Sequence, residues 1–383
     1  MTLDAALAIL DDLVAFPTVT ADSNLDLVDY AAERLDGVAA DVTLTHSADG
    51  ERANLFATIG PVVDGGVVLS GHTDVVPADT AGWHSDPFIA TRRDGSVYGR
   101  GTADMKGFIA CALALAPELA AAGLRLPVHV ALTFDEEVGF RGAPVLLDEL
   151  ARTGPVPSAA IVGEPTSLDI IAAHKGCYEY TTTFTGAEGH GSTPDRAVNA
   201  VEHGARFVAR LVELRAELAD RAPADSPFDP PASTLSVGTI RGGTARNIVA
   251  GSCSVEWELR PVRAADAELV RTAVAAFERE LTAEVAAHPG AGMVTEAVCE
   301  VDGLEPAPDS EAMRLGRELL DDPAIDVVSF GTEAGLYQQA GIPAIVCGPG
   351  SIAVAHQPDE HVPVADLEAC LAMLRRLGAR LAG

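Results

Sequence analysis

The chain has 383 residues, which is enough for two or three domains and a sizeable core. Hydrophobic residues make up 48% and charged residues 21%, the balance of an ordinary folded protein rather than a disordered one. The 26 basic residues face 56 acidic ones, a net charge of −30 that repels nucleic acid and anionic membrane and excludes any role needing a basic groove.

The six cysteines, Cys111, Cys177, Cys253, Cys299, Cys347 and Cys370, are widely spaced and form no CxxC pair. That spacing argues against a disulfide framework or a cysteine zinc site and suits a reducing cytoplasm. The N-terminal stretch is acidic and amphipathic and lacks the positive region of a signal peptide. The longest apolar run, Phe108–Ala116, is too short to cross a membrane. A soluble, cytoplasmic protein is expected.

In chain order, Leu3, Leu7, Leu10, Leu13 and Val14 share one helical face, and that helix ends near Phe16-Pro17. A second helix follows over 25–35. Strands are predicted at 54–59 and 66–70, the latter a continuous apolar run that suits burial on both faces. Helices at 106–122 and 142–150 flank a strand at 128–134, and a further strand falls at 159–162. This alternation predicts an α/β domain around a mainly parallel sheet flanked by helices. After about residue 173 the pattern changes. A half-exposed strand at 176–184, a helix at 199–218, strands at 233–240 and 253–259, a helix at 265–285 and a strand at 293–301 make a β-α-β-β-α-β order, that of a ferredoxin-like sandwich. The expected organisation is a catalytic domain in two parts, 1–173 and 304–383, with an inserted domain over 174–303.

Five short segments carry candidate chemistry, each at or near a predicted strand end, where α/β sheets gather ligands. His72 and Asp74, in Gly71-His72-Thr73-Asp74, suit a metal ligand and a carboxylate that fixes its tautomer. Asp104, in Gly101-Thr102-Ala103-Asp104-Met105-Lys106-Gly107, precedes a helix; it can be an N-cap, or its two oxygens can bridge two metals. Asp135-Glu136-Glu137 follows an apolar strand, so one glutamate can bind metal while its neighbour stays free as a general base. Glu164, in Gly163-Glu164-Pro165-Thr166, is a candidate oxygen ligand, and His356, in Ala355-His356-Gln357-Pro358-Asp359-Glu360, a candidate nitrogen ligand. Each is weak alone. Together they give a mixed histidine and carboxylate set that suits zinc or cobalt rather than magnesium. Such a metal pair polarises a carbonyl and activates water for amide hydrolysis. The chain has no P-loop signature and no G-x-S-x-G elbow.

In order and spacing these segments resemble the co-catalytic zinc metallopeptidase family, which holds acetylornithine deacetylase, succinyl-diaminopimelate desuccinylase, aminoacylase and the glutamate carboxypeptidases. The resemblance runs from about residue 7 to 375. It implies a dinuclear site with His72 and Glu164 on one zinc (or cobalt), Glu137 and His356 on the other, and Asp104 bridging them through a segment with a cis peptide to Met105. It further implies that Asp74 orients His72 and that Glu136 is the general base. The inserted domain is then a lid and dimerisation domain, so a homodimer is expected. Within it, Gly189-His190-Gly191-Ser192 resembles the segment whose histidine stabilises the oxyanion, with Gly191 where the family usually has serine. Asn247 and Arg260 resemble substrate-binding residues, the arginine gripping a carboxylate. The stretch Ser329-Phe330-Gly331-Thr332-Glu333-Ala334-Gly335 resembles the version found in acetylornithine deacetylases. The implied reaction is deacetylation of N2-acetyl-L-ornithine in arginine biosynthesis, with Glu333 either pairing with the substrate ammonium or serving as a structural acid at a helix start. The alternatives are a desuccinylase, a broader N-acyl-amino-acid deacylase, or a metal-free binding relative on the same fold.

Overall fold

The computed structural model describes residues 2–20, 22–79 and 81–383. In chain order the helices are α1 (Thr2–Ala15), α2 (Leu25–Leu35), α3 (Gly107–Ala121), α4 (Gly142–Thr153), α5 (Ala200–Asp220), α6 (Ala264–Glu284), α7 (Glu311–Leu319), α8 (Ala334–Gln339) and α9 (Val364–Ala382). The strands are β1 (Asp41–His46), β2 (Ala53–Ile59), β3 (Val67–His72), β4 (Thr91–Arg93), β5 (Ser96–Tyr98), β6 (Val128–Thr133), β7 (Ala159–Val162) and β8 (Ile170–His174). They continue with β9 (Cys177–Thr185), β10 (Gly189–His190), β11 (Thr234–Gly242), β12 (Ile248–Val249), β13 (Ser252–Arg260), β14 (Gly292–Val301), β15 (Ile325–Val328), β16 (Ala344–Val346) and β17 (His361–Pro363). The chain forms two compact units. The larger holds residues up to 173 with 304–327 and 332–383, and the smaller holds 174–303 with 328–331.

The larger unit is built on an eight-stranded mixed sheet in the order β1-β2-β6-β3-β7-β16-β8-β15. Its centre is parallel: β3 pairs parallel with β6 and β7, and β16 with β7, while β1, β2 and β8 join antiparallel. The predicted parallel sheet is therefore the core of the unit, with antiparallel flanks. Every residue of β2, β3, β6 and β7 is buried, as continuous apolar runs require. Helix α3 is buried from Gly107 to Ala116 and packs against α1 and α9. Full burial of a side chain such as Phe108 contributes roughly 1.5–3 kcal/mol. Strands β1, β8, β15 and β16 and the small sheet β17-β5-β4 lie outside the sequence prediction. Most are short, and three-residue strands leave too few alternations to read.

The smaller unit is a four-stranded antiparallel sheet in the order β11-β13-β9-β14, carrying α5 and α6. With helices after β9 and β13, this is the expected β-α-β-β-α-β arrangement. Asn199 caps α5, its side chain accepting from the amides of Val201 and Glu202. The core is aromatic: Tyr180 stacks on Trp257 at 4.3 Å between centroids, and Phe207 meets Trp257 edge-on at 6.1 Å. No helix of the described residues is long and apolar enough to cross a membrane.

Candidate active site

Three parallel strands of the larger unit end at one edge, and the loops beyond them supply most of the candidate chemistry. His72 is the last residue of β3, Asp135 to Glu137 follow β6, and Glu164 follows β7. His356 lies on the loop after β16. Asp104 sits just before α3, where its own φ of −121° and ψ of 91° leave the helical path and its peptide to Met105 is cis. Gly101 makes that approach possible: its φ is +81°, and a Cβ there would lie 2.6 Å from Val75 Cγ1.

The donor atoms fall into two trios that share one residue. His72 Nε2 lies 2.9 Å from Asp104 Oδ1 and 3.8 Å from Glu164 Oε1. His356 Nε2 lies 3.2 Å from Asp104 Oδ2 and 2.9 Å from Glu137 Oε1. The two oxygens of Asp104 thus face different histidines. His72, Asp104 and Glu137 also offer ligand atoms that all lie within 4.8 Å of one another. His72 Nδ1 donates to the main-chain carbonyl of Asp74 at 2.9 Å, which turns Nε2 toward the acids.

The site concentrates negative charge. Glu136 and Glu164 are buried; burial and neighbouring acids push both carboxyls well above the ordinary range. Glu137 is pushed up by burial and by Asp104. Burial acts to raise the Asp104 carboxyl as well, but hydrogen bonds from His356 and His72 outweigh it and hold it below the usual range. The same acids push His356 up to about 10, Asp104 first and Glu137 next. Four acids against two imidazoles leave a buried deficit of positive charge. A nitrogen and oxygen donor set with that deficit fits a pair of divalent cations of the zinc or cobalt class. Glu136 stands apart from the trios, and its carboxylate accepts no hydrogen bond from a described residue.

Asp74 meets both His72 and the acidic loop. Its carboxylate accepts from the backbone amides of Glu136 and Glu137, each at 3.1 Å, and stands 3.6 Å from His72 Nδ1. The group that bonds the imidazole is the Asp74 main chain, and the side chain pins the acidic loop. The first acid of that loop, Asp135, has φ of +53° and turns to Arg52, whose Nε is 3.1 Å from Oδ1.

Two positioning residues went unread in the sequence. Glu360 is fully buried; its Oε1 accepts from the amides of Ala103 and Asp104 at 3.0 and 3.1 Å, and its Oε2 pairs with Arg100 at 2.6 Å. Both belong to segments already singled out, but nothing local to either segment links positions 260 residues apart. Glu333 precedes α8 and is 1% exposed; its Oε2 accepts from Thr133 Oγ1 at 3.0 Å. Burial pushes its carboxyl up to about 7.

The remaining candidates lie in the smaller unit. His190 is exposed on β10, opposite Ile248 of β12. Its Nδ1 lies 2.7 Å from Ser192 Oγ and 3.2 Å from the Ser192 amide; accepting from that amide places the ring proton of the neutral imidazole on Nε2. The Gly191 amide donates to the Asn247 carbonyl at 2.8 Å, and a Cβ at Gly191 would come within 3.1 Å of the Asn247 backbone. A side chain there would require that backbone to shift by a few tenths of an ångström. Asn247 is exposed. Arg260 ends β13, with its guanidinium 2.8 Å from Glu258 and 3.7 Å from Glu179.

Comparison with known proteins agrees with this architecture. The model of Peptidase family M20/M25/M40 matches residues 68–380. An acetylornithine deacetylase from Myxococcus xanthus is 39% identical over 388 aligned residues, spanning 100% of this chain and 99% of that protein. Among solved structures, an M20 family metallo-carboxypeptidase from Sulfolobus solfataricus has a TM-score of 0.77 at 16% identity, over 98% of this chain and 99% of the other. A dinuclear metal binding peptidase of the M20 family from Bacillus subtilis has a TM-score of 0.62 at 14% identity, over 99% and 98% of the two chains. At those identities the two structures speak to the fold alone, whereas the family model and the full-length relative establish kinship. The chain belongs to peptidase family M20/M25/M40 and is a hydrolase of that family.

Proposed function

We propose that the chain is a dinuclear metal-dependent amidohydrolase that cleaves N2-acetyl-L-ornithine to L-ornithine and acetate. The observation that carries the dinuclear reading is Asp104, whose two carboxylate oxygens face two histidines, each with its own glutamate. His72, Glu164 and Asp104 would hold one ion, and His356, Glu137 and Asp104 would hold the other. Two such ions, when bound, supply Lewis acidity that polarises an amide carbonyl and makes water acidic enough to be deprotonated near neutrality.

The protein's own groups do the rest. Glu136 takes a proton from the attacking water on its carboxylate and delivers it to the departing amine nitrogen. Asp74, by binding the amides of Glu136 and Glu137, fixes one loop on which base and ligand are adjacent. Glu360 fixes the backbone on which Asp104 turns. His190, with its proton on Nε2, is a donor for the developing oxyanion, and Asn247 and Arg260 contact substrate. The smaller unit serves as the lid and as the surface of a homodimer.

The choice of substrate rests on the acetylornithine deacetylase 39% identical over the whole chain and on the Ser329–Gly335 stretch. Its test is hydrolysis of N2-acetyl-L-ornithine beside N-succinyl-L,L-diaminopimelate and N-acetyl-L-methionine, with zinc or cobalt added. Preference for acetylornithine is expected. Preference for either other substrate keeps the dinuclear mechanism and moves the chain to the desuccinylases or the broader deacylases. No turnover in protein that retains no metal would favour a non-catalytic binding protein.

A further inference from the structure

The sequence argues against a cysteine metal site because no two cysteines are close in the chain. The fold of the smaller unit brings two of them together. Cys177 on β9 and Cys299 on β14 are 122 positions apart, yet their sulfurs lie 3.9 Å from each other. Tyr178 and Tyr180 enter the core beneath the helices, so alternation along β9 sends Cys177 and Glu179 to the opposite face of the sheet. The register sets Cys299 directly opposite Glu179, after a bulge between Ala297 and Cys299. Glu179 Oε1 then stands 3.8 Å from Cys177 Sγ, and the three donor atoms all lie within 4.8 Å of one another.

We propose that Cys177, Cys299 and Glu179 form a binding site for one thiophilic cation of the zinc or cadmium class, separate from the site in the larger unit. The spacing fits such an ion. Two sulfurs at about 2.3 Å from a tetrahedral centre are about 3.8 Å apart, and a sulfur and a carboxylate oxygen about 3.5 Å. The observed separations of 3.9 and 3.8 Å need only small adjustments. A disulfide fits less well. Cys177 pairs with Val301 and Cys299 with Glu179, so the two cysteines are diagonal neighbours. Such pairs have Cα atoms about 7–8 Å apart. Disulfides usually need about 4.4–6.8 Å.

The two thiols act on each other electrostatically. Either sulfur can donate to the other, while the Cys177 S–H also faces Glu179 Oε1 at 3.8 Å and the Cys299 S–H donates to the Cys177 carbonyl at 3.5 Å. Their contact and burial hold the Cys177 thiol up, and the contact holds Cys299 below its ordinary value, with Arg260 assisting. Metal binding would displace these protons, since the thiolate is the form that binds metal. Glu179 is partly exposed and also lines a cavity of about 320 Å³ with Glu258 and Val298, so its carboxylate is open to solvent. Three protein donors leave a fourth position for water.

The test is cadmium titration of the full chain as purified, reduced with a phosphine, reading thiolate-to-metal charge-transfer absorption. The donors in the larger unit are nitrogen and oxygen only, so filling that site gives no such band. One equivalent of thiolate-bound cadmium is expected, lost in C177S/C299S and bound about tenfold or more weakly in E179Q. Mass-spectrometric footprinting of the unmodified chain removes any dependence on folding of the variants: cadmium is expected to slow alkylation of Cys177 and Cys299. Absence of the band, its survival in C177S/C299S, equal alkylation with and without cadmium, or a Cys177–Cys299 disulfide in the reduced protein would each overturn the proposal.

Discussion

The two units present their candidate chemistry in opposite ways. In the larger unit, His72, Asp104, Glu136 and Glu164 are 2–8% exposed, so like charges are held together out of water. In the smaller unit, His190 is exposed on a two-residue ladder and Asn247 is exposed just before its partner strand, where charge and polarity cost little. The difference separates what the fold must compensate from what it merely displays. A buried acid cluster needs cations and fixed backbone partners, and the interlocking of Asp74, Arg100 and Glu360 with the acidic segments supplies the second of these. An exposed histidine needs only a tautomer, which the Ser192 amide provides.

That contrast can be broken by substitution, beginning with the largest effect. Glu136→Gln is expected to lower kcat about 10²–10⁴-fold while metal content stays unchanged, because the residue stands outside both donor trios. Retained turnover would assign the base elsewhere. His190→Ala is expected to lower kcat/KM about 10²–10³-fold with no change in urea midpoint, since removing an exposed ring disturbs no core. A matching loss of stability would mean the ring is structural. Glu360→Gln touches neither substrate nor metal. It is expected to weaken metal binding about 10–100-fold by loosening the Asp104 backbone, a change that isothermal titration would read directly. Unaltered affinity would make Glu360 only a partner for Arg100.

The last effect belongs to burial without function and touches stability rather than turnover. His129 on β6 is fully buried, stacked on Phe56 at 4.9 Å and 3.1 Å from Thr58 Oγ1. Burial holds its imidazole down at about 4, against 6.5 when free. The unfolded chain therefore binds a proton that the folded chain refuses. This contribution to stability is complete above about pH 6.5 and fades as pH falls toward 4, by up to about 3 kcal/mol at roughly 1.4 kcal/mol per unit. Urea midpoints measured between pH 7 and 4.5 are expected to show a shallower decline in His129→Gln than in the parent chain. An identical decline would place the acid sensitivity elsewhere.

Much of this arrangement was legible in the sequence because buried strands announce themselves. The apolar runs before His72, Asp135 and Glu164 located three strand ends, and a shared parallel sheet then brings those ends to one edge. The β-α-β-β-α-β order of the insert was equally readable, since its helices and strands are long enough to show their periods. What escaped were contacts that depend on register or on distant backbone. The bonds from the Glu136 and Glu137 amides to Asp74 involve main chain, which carries no residue code. Arg100 and Glu360 meet only after the whole unit is assembled. Cys177 and Cys299 looked isolated because a cross-strand neighbour is set by pairing, and a bulge lies in that pairing.

The bridging role of Asp104 is most directly tested by loading chelator-treated protein with Mn²⁺ and recording its electron paramagnetic resonance spectrum. Manganese prefers oxygen and nitrogen donors to thiolates, so it reports on the larger unit rather than on Cys177 and Cys299. Two equivalents per chain with a spin-coupled spectrum are expected, and the coupling should vanish in Asp104→Asn or Asp104→Ala. A single equivalent, or two ions whose spectra are those of isolated Mn²⁺, would contradict a carboxylate-bridged pair.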